Sequence, residues 1–468
     1  MLFSSTVFLW IFLPIVFVGN FLCQRLGGNR LANALLLVAS IFFYAWGEPV
    51  YVLLMLVSIL VNWGAGMLLA QREKGKRAVL AADVLVNLAL LGYFKYAGML
   101  VETWNSLTGA AAAVPRIPLP IGISFFTFQA LSYVIDVYRG ECPVQRSVFR
   151  LALYVSFFPQ LIAGPIVKYR DVSEQIEHRT LSLEKTASGI RRFVYGLGKK
   201  VLLANVMALC ADRLYAVELE QVSSAMAWLA AVAYTLQIYY DFSGYSDMAI
   251  GLGRMFGFEF QENFNLPYQS RSIREFWRRW HISLSSWFRD YVYIPLGGNR
   301  KGEARTYLNL LIVFFCTGFW HGASWSFVLW GLYHGFFSIV ERLGLGKVLK
   351  KTRVLSSVYT LLVVVFGWVL FRVEDLERAL GYFRRMLQPW KYAAAPLPLS
   401  AWADGYTVVM LVLGVLGAGI LQAVLRRTGL DRKGRYSAAE IAFCAAVLVL
   451  CIMSLASNTY NPFIYFRF

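Results

Sequence analysis

Apolar stretches recur along the whole chain, near residues 6–22, 31–46, 49–70, 78–98, 119–137, 193–211, 223–241, 306–320, 323–340, 355–371, 405–425 and 438–456. A helix needs ~20 residues to cross the hydrocarbon core of a bilayer, and only helices or closed barrels satisfy their backbone groups there. Runs of this length and spacing predict an all-α polytopic membrane protein. Several are short or carry Gly and Pro, so the expected number of crossings is about eleven, with re-entrant segments among them. Composition agrees: 58% of residues are hydrophobic and 15% charged, whereas soluble domains carry about a quarter charged residues. The high aromatic content excludes disorder. There is no internal repeat and no linker, so 1–468 reads as one integral-membrane domain.

The formal charge is +18. In a soluble chain such an excess would suggest nucleic acid. In a membrane protein it marks cytoplasmic loops facing anionic lipid or an anionic cofactor, and no nucleic-acid partner is expected. Arg25 and Arg30 follow the first run and Arg72, Lys74, Lys76 and Arg77 the third, which places the N-terminus outside. The first run has no preceding Lys or Arg and no cleavage site, so it reads as a retained helix. Alternation breaks at 151–167, because Lys168, Arg170, Arg179, Lys185, Arg191 and Arg192 follow it. Its Phe158-Pro159 and Gly164-Pro165 breaks predict a re-entrant segment, and irregular backbone at that depth must line a cavity or be packed in protein. Residues 261–305 mix Arg271, Arg274, Arg278, Arg279, Arg289, Arg300 and Lys301 with Phe276, Trp277, Trp280, Trp287, Phe288 and Tyr291. This composition predicts an interfacial, cytoplasmic segment with aromatic anchors at the headgroup level. The basic 426–435 loop is likewise expected on the cytoplasmic side.

Only four histidines occur. His321 lies in Thr317-Gly318-Phe319-Trp320-His321-Gly322, at the break between two apolar runs, where a titratable side chain is costly. Gly318 and Gly322 permit close backbone approach. An imidazole there can take a proton from a hydroxyl attacking a carbonyl and return it to the leaving group; the alternative is a hydrogen-bonded interhelical histidine. His281 ends Trp277-Arg278-Arg279-Trp280-His281 and reads either as a group orienting a substrate or the other histidine, or as an interfacial residue among aromatic anchors. His334 is 13 residues beyond His321, a rotation of roughly 220° on one helix, and is assigned to packing. His178 falls in a charged loop. Asp241 and Asp247 close an apolar run and need partners, for which the arginines of 271–289 are the candidates. Asp290 reads as a loop-fixing carboxylate. The Pro295-Leu296-Gly297-Gly298-Asn299-Arg300 turn offers backbone N–H groups to phosphate, a weak signal by itself. The six cysteines lack zinc or disulfide spacing, and no metal site is expected. No nucleophile elbow, phosphate loop, zinc-protease pair or dinucleotide fingerprint occurs.

The segments Asp241-Phe242-Ser243-Gly244-Tyr245-Ser246-Asp247, Glu275-Phe276-Trp277-Arg278-Arg279-Trp280-His281 and Phe319-Trp320-His321-Gly322 resemble the membrane-bound O-acyltransferases, in their bacterial alginate O-acetylation branch. The resemblance extends to Phe3-Ser4-Ser5, Leu119-Pro120-Ile121-Gly122, Ala163-Gly164-Pro165 and Pro462-Phe463-Ile464-Tyr465-Phe466. Residues 343–404 match poorly. The resemblance implies a helical bundle with a pinched tunnel, His321 in the place of the family's essential histidine and His281 in that of the second motif histidine. It implies acyl transfer from acetyl-CoA in the cytoplasm toward hydroxyls of an extracytoplasmic polysaccharide, such as alginate or cellulose. An outer partner resembling SGNH hydrolases, an exopolysaccharide synthesis or secretion complex, surrounding lipid and the bacterial inner membrane complete that expectation. Asp241, Arg274, Trp277, Arg278, Asp290, Asn299 and Trp320 are the expected substrate-binding set. The competing readings are D-alanyl transfer from a carrier protein to teichoic acid, a polysaccharide or lipid transporter, and a structural scaffold for a polymer-secreting complex.

Overall fold

A computed structural model describes residues 1–162, 164–394, 398–428, 437–457 and 460–464. Ala163, the 429–435 portion of the basic loop, and Tyr465 and Phe466 of the closing motif lie outside the described residues. In chain order the α-helices are α1 Leu13–Ala45, α2 Tyr51–Gln71, α3 Lys76–Leu91, α4 Ala97–Thr108, α5 Ile123–Arg139, α6 Val148–Ser156, α7 Phe158–Leu161, α8 Tyr169–Glu177, α9 Leu183–Gly198 and α10 Asn205–Tyr215. There follow α11 Ser224–Met255, α12 Ile273–Arg279, α13 Ile282–Phe288, α14 Glu303–His321, α15 Trp325–Val340, α16 Gly346–Leu349, α17 Arg353–Arg372, α18 Leu376–Leu387, α19 Gly405–Val415, α20 Leu421–Thr428 and α21 Ala438–Ser457. No strand occurs among the described residues.

Seven helical stretches are long and apolar enough to cross a membrane: Phe8–Ala45, Tyr51–Gln71, Lys76–Thr108, Leu183–Tyr215, Arg353–Arg372, Gly405–Val424 and Ala438–Ser457. Seven such stretches are what a multi-pass membrane protein carries. The first stretch carries both of the first two apolar runs, joined through a break at Gly28, where φ is 62°. Helices α5, of 17 residues, and α15, of 16, fall below ~20 residues. The stretch expected to be re-entrant is two helices of nine and four residues, neither long enough to cross.

The chain divides into two compact units, Met1–Phe193 with Tyr245–Glu262, and Val194–Gly244 with Asn263–Phe468. In the first, Phe3 stacks on Tyr245 at 4.4 Å and Phe12 meets Phe158 edge-on at 5.2 Å. The α6–α7 break is held from both sides. Phe158 N–H donates to Ser40 Oγ at 3.2 Å, and Tyr154 Oη donates to the Val167 carbonyl at 2.7 Å. Asn62 and Asn87 exchange hydrogen bonds at 3.1 Å between α2 and α3, which satisfies both amides in an apolar setting.

Helices α9 and α11 approach through small residues. In the first unit a Cβ on Gly251 would meet the Gly189 carbonyl at 2.6 Å, and in the second a Cβ on Gly244 would meet the Gly196 carbonyl at 2.7 Å. Backbones this near bring α9-side cations to the α11 acids. Asp247 pairs with Arg192 at 2.8 Å, and Asp241 pairs with Lys200 at 2.6 Å. The arginines of 271–289 are therefore not their partners, contrary to expectation. The reason is register: antiparallel packing delivers cations from about fifty residues earlier in the chain, which periodicity within α11 does not reveal.

In the second unit α14 and α15 form a hairpin. Gly318 and Gly331 face each other, and a Cβ on Gly331 would strike the Phe314 carbonyl and sit 3.0 Å from Gly318 Cα. Only glycine lets the two helices dock at this depth. Helix α12 is capped twice at its start: Ser272 Oγ accepts from Glu275 N–H at 3.0 Å, and the Glu341 carboxylate accepts from Ile273 N–H at 2.6 Å. Those N–H groups have no intrahelical acceptor, so the caps fix the direction in which α12 aims Trp277.

Candidate functional site: two buried imidazoles in an aromatic enclosure

The α14–α15 turn and the α12–α13 connection, both in the second unit, bring His321 and His281 together with ring centroids 6.5 Å apart. His321 is the last residue of α14, and Gly322 continues in extended backbone, so the imidazole leaves the helix end rather than a helix face. It is 7% exposed. Trp330 meets it edge-on at 5.0 Å, Trp320 at 5.0 Å and Phe371 at 5.4 Å. His334 lies on the separate helix α15 and packs against Trp277, Trp330 and Phe276, in keeping with the packing role expected for it. His178 is 77% exposed in its loop.

His281 connects two seven-residue helices in the left-handed region, with φ 45° and ψ 55°. A residue with a Cβ adopts that conformation at a cost of roughly 1–2 kcal/mol, and strain of this kind concentrates at functional sites. The strain is held by Asn263. Its Oδ1 accepts from Ser283 N–H at 3.1 Å and from Ser283 Oγ at 2.8 Å, and lies 3.2 Å from His281 Nδ1. A backbone N–H can only donate, which identifies that Asn263 atom as the oxygen and places the proton on His281 Nδ1. Nε2 then carries a lone pair, and it has no hydrogen-bond partner among the described residues. Burial first, and the neighbouring His321 second, hold the His281 pKa well below the ordinary 6.5. The ring is thus a neutral acceptor fixed in orientation. Phe242 closes it edge-on at 4.6 Å.

Trp320 contacts both imidazoles, at 5.9 Å from His281 and 5.0 Å from His321. Arg274 and Trp277 line a cavity of about 200 Å³ together with Ser285, Arg289 and Thr317. Thr317 lies one turn before His321 on α14, so the cavity and the imidazole share a helix although His321 does not line the cavity. Trp277 Nε1 is buried without a partner among the described residues. Asp290 is buried and paired with its chain neighbour Arg289 at 2.8 Å, within the helical segment Arg289–Tyr293 rather than in a loop. Arg278 and Asn299 are exposed, and among the described residues no contact brings either to the imidazoles. The Gly297-Gly298 turn already spends its N–H groups internally: Gly297 donates to Ile294, Gly298 to Tyr293 and Arg300 to Gly297. Those donors are not available to a phosphate, contrary to the sequence reading.

The aromatic residues of 261–305 are buried rather than lying at the headgroup level: Trp280 is 2% and Trp287 5% exposed, while Arg271, Arg274, Arg278 and Arg289 face outward. The expectation of aromatic anchors fails because α12 and α13 are too short to lie as free amphipathic helices and use their apolar faces as core. Three groups escaped the sequence reading. Asn263 sits in a polar loop with no periodic signal. Lys200, adjacent to Lys199 within an apolar run, was a legible sign of a buried ion pair. Trp368 and Phe371 come from the stretch with no motif resemblance.

Paired buried imidazoles in a helical protein of several membrane-length segments, with an arginine-rimmed cavity in the same unit, fit a membrane-embedded group-transfer enzyme. Residues 143–372 match the sequence model of the membrane-bound O-acyltransferase family. The chain is 41% identical to a probable alginate O-acetylase AlgI of Pseudomonas putida, over 100% of both proteins. It is 46% identical to the Pseudomonas aeruginosa protein of the same name, over 89% of this chain and 80% of the relative. It is 37% identical to a peptidoglycan O-acetyltransferase of Helicobacter pylori, over 83% and 80% respectively. The chain belongs to the membrane-bound O-acyltransferase family and is an O-acyltransferase.

Proposed function

We propose that this protein transfers an acetyl group from cytoplasmic acetyl-CoA toward hydroxyls of an extracytoplasmic polysaccharide, with His321 as general base. The observation that carries the reading is the pair of buried imidazoles, 6.5 Å apart, enclosed by indole and phenyl rings. The names of the relatives, acetylases of alginate and of peptidoglycan, support a polysaccharide acceptor. The protein sits in the bacterial inner membrane with its N-terminus outside, as the basic loops favour. An outer SGNH-like partner, within an exopolysaccharide synthesis or secretion complex, passes the acetyl group to the polymer.

In this reading Arg274 and Arg289 attract the anionic nucleotide, and the 200 Å³ cavity takes the pantetheine arm toward Thr317 and His321. Trp277 Nε1 supplies a buried donor to that arm. A His321 nitrogen accepts the proton of the attacking hydroxyl as its oxygen bonds to the thioester carbon. The resulting imidazolium returns that proton to sulfur as the C–S bond breaks, so ester and free thiol form with no net proton change. His281 Nε2, an acceptor by its Asn263 bond, orients the hydroxyl or the His321 ring. Trp320 holds the two imidazoles in register, and Asp241 supports the chamber through Lys200.

The test uses membranes carrying the wild type or His321→Ala at matched expression, with labelled acetyl-CoA and the outer partner present. Thiol release and glycan-linked label are both expected to vanish in the variant. Persistence of both overturns the mechanism and favours a transporter or scaffold.

A further inference from the structure

The space beside His321 is very small. A cavity of about 10 Å³ is bounded by His321, Trp330, Trp368, Phe371, Ile238 and Ile464, among others. That volume admits roughly one water-sized sphere, the size of a methyl group. The rings around it brace one another: Trp330 meets Phe371 at 4.8 Å, and Trp280 meets Trp368 at 4.8 Å. Displacing any of them disturbs several ring contacts at once.

Ile464 is a different kind of wall. It belongs to the described segment 460–464, which is held by polar contacts. Ile464 N–H donates to Asp241 Oδ2 at 2.8 Å, and the Pro462 carbonyl accepts from Lys200 Nζ. The same Lys200 and Asp241 form the buried ion pair, and Asn205 Nδ2 donates to Asn461 Oδ1 at 3.2 Å. The side chain of Ile464 is only 3% exposed. Its position is set by its own backbone, so its size can change while the main chain stays in place.

We infer that Ile464 is the specificity-determining residue for acyl chain length, closing the chamber at one methyl group beyond the thioester carbonyl. The inference rests on His321 being the base. An acyl group attacked at His321 must seat the substituent of its carbonyl carbon in the adjoining void, and that void holds a methyl but no further methylene. One methylene too many in an apolar pocket costs about tenfold or more in discrimination.

The experiment compares thiol release from acetyl-, propionyl- and butyryl-CoA in membranes holding the full protein and its native partners. Wild type should favour acetyl over propionyl by at least about tenfold. Ile464→Ala should raise the propionyl-to-acetyl ratio by about tenfold, and Ile464→Val, which removes one methyl, by roughly fourfold. Ile464→Val keeps the test open if the alanine variant fails to accumulate. His321→Ala in the same membranes separates the two readings. If it releases thiol like wild type, the site assignment fails. If it is silent while both Ile464 variants keep the wild-type preference, the size assignment alone is overturned.

Discussion

Asp241 and His281 are both polar side chains buried to 2% or less in the second unit, yet their surroundings differ in kind. Asp241 has a cation at 2.6 Å and a backbone N–H at 2.8 Å. His281 has one nitrogen fixed by Asn263 and the other open among the described residues, in a strained backbone surrounded by rings. A buried carboxylate with its charge matched is scaffold, because removing either partner leaves an uncompensated charge. A buried imidazole with one nitrogen held and the other presented is arranged to exchange a proton. Burial alone, which the sequence signals for both, does not separate the two; the completeness of the partner set does.

The largest expected effect tests the imidazole side of this contrast. His321→Ala should lower the transfer rate by about 10²–10⁴-fold with the thermal midpoint of the detergent-solubilised protein nearly unchanged; a large fall in that midpoint would move His321 to the scaffold side. On the other side, Asp241→Ala should cost about 3–5 kcal/mol of stability by stranding Lys200. The double substitution Asp241→Leu with Lys200→Met should recover most of that loss. If instead Asp241→Ala stops turnover in a protein of wild-type stability, Asp241 belongs with the substrate-binding groups.

Asn263→Ala probes a positioning residue. Losing its hydrogen bonds to His281 and Ser283 should reduce kcat about tenfold, the equivalent of one buried polar contact, with KM much less affected. A parallel rise in KM would place Asn263 on the substrate. The smallest effect concerns pH. Burial lowers the folded-state pKa of His281 below 6.5, so on acidification the unfolded chain takes up this proton before the folded one. The contribution is therefore fully present above about pH 6.5 and is lost progressively below it. Thermal stability should fall between pH 7 and 5, and His281→Asn should flatten that slope; an unchanged slope would mean the ring is charged in the fold.

Much of the architecture was legible because bilayer crossing imposes length and polarity on each helix separately. The breaks at Phe158-Pro159, the glycines around His321 and the isolation of His334 from His321 all follow from local rules. Residues brought together by register were not legible. Nothing near Asn263 announces that it fixes an imidazole eighteen positions later. Lys200 signals a buried pair, but its meeting with Asp241 in particular depends on two glycines that allow close antiparallel packing. Trp368 and Phe371 enclose His321 from a region without recognisable motif, since an enclosure requires bulk and ring shape more than a specified pattern. The inward turn of Trp277 and Trp280 was missed for a related reason: an aromatic-basic segment has the same composition whether its rings meet headgroups or a core.

The glycine contact between α14 and α15 bears on how the chain is made. The two helices are neighbours in sequence, separated by Gly322, Ala323 and Ser324, and dock through backbone at Gly318 and Gly331. Their mutual docking needs no segment of the chain beyond Val340. Within the hairpin His321 already meets Trp320 and Trp330, and only the Phe371 contact waits on α17. An imidazole that would be expensive to expose to lipid on a lone helix is thus delivered by a pre-paired hairpin, and substitutions at Gly318 or Gly331 should show first as failed insertion during synthesis.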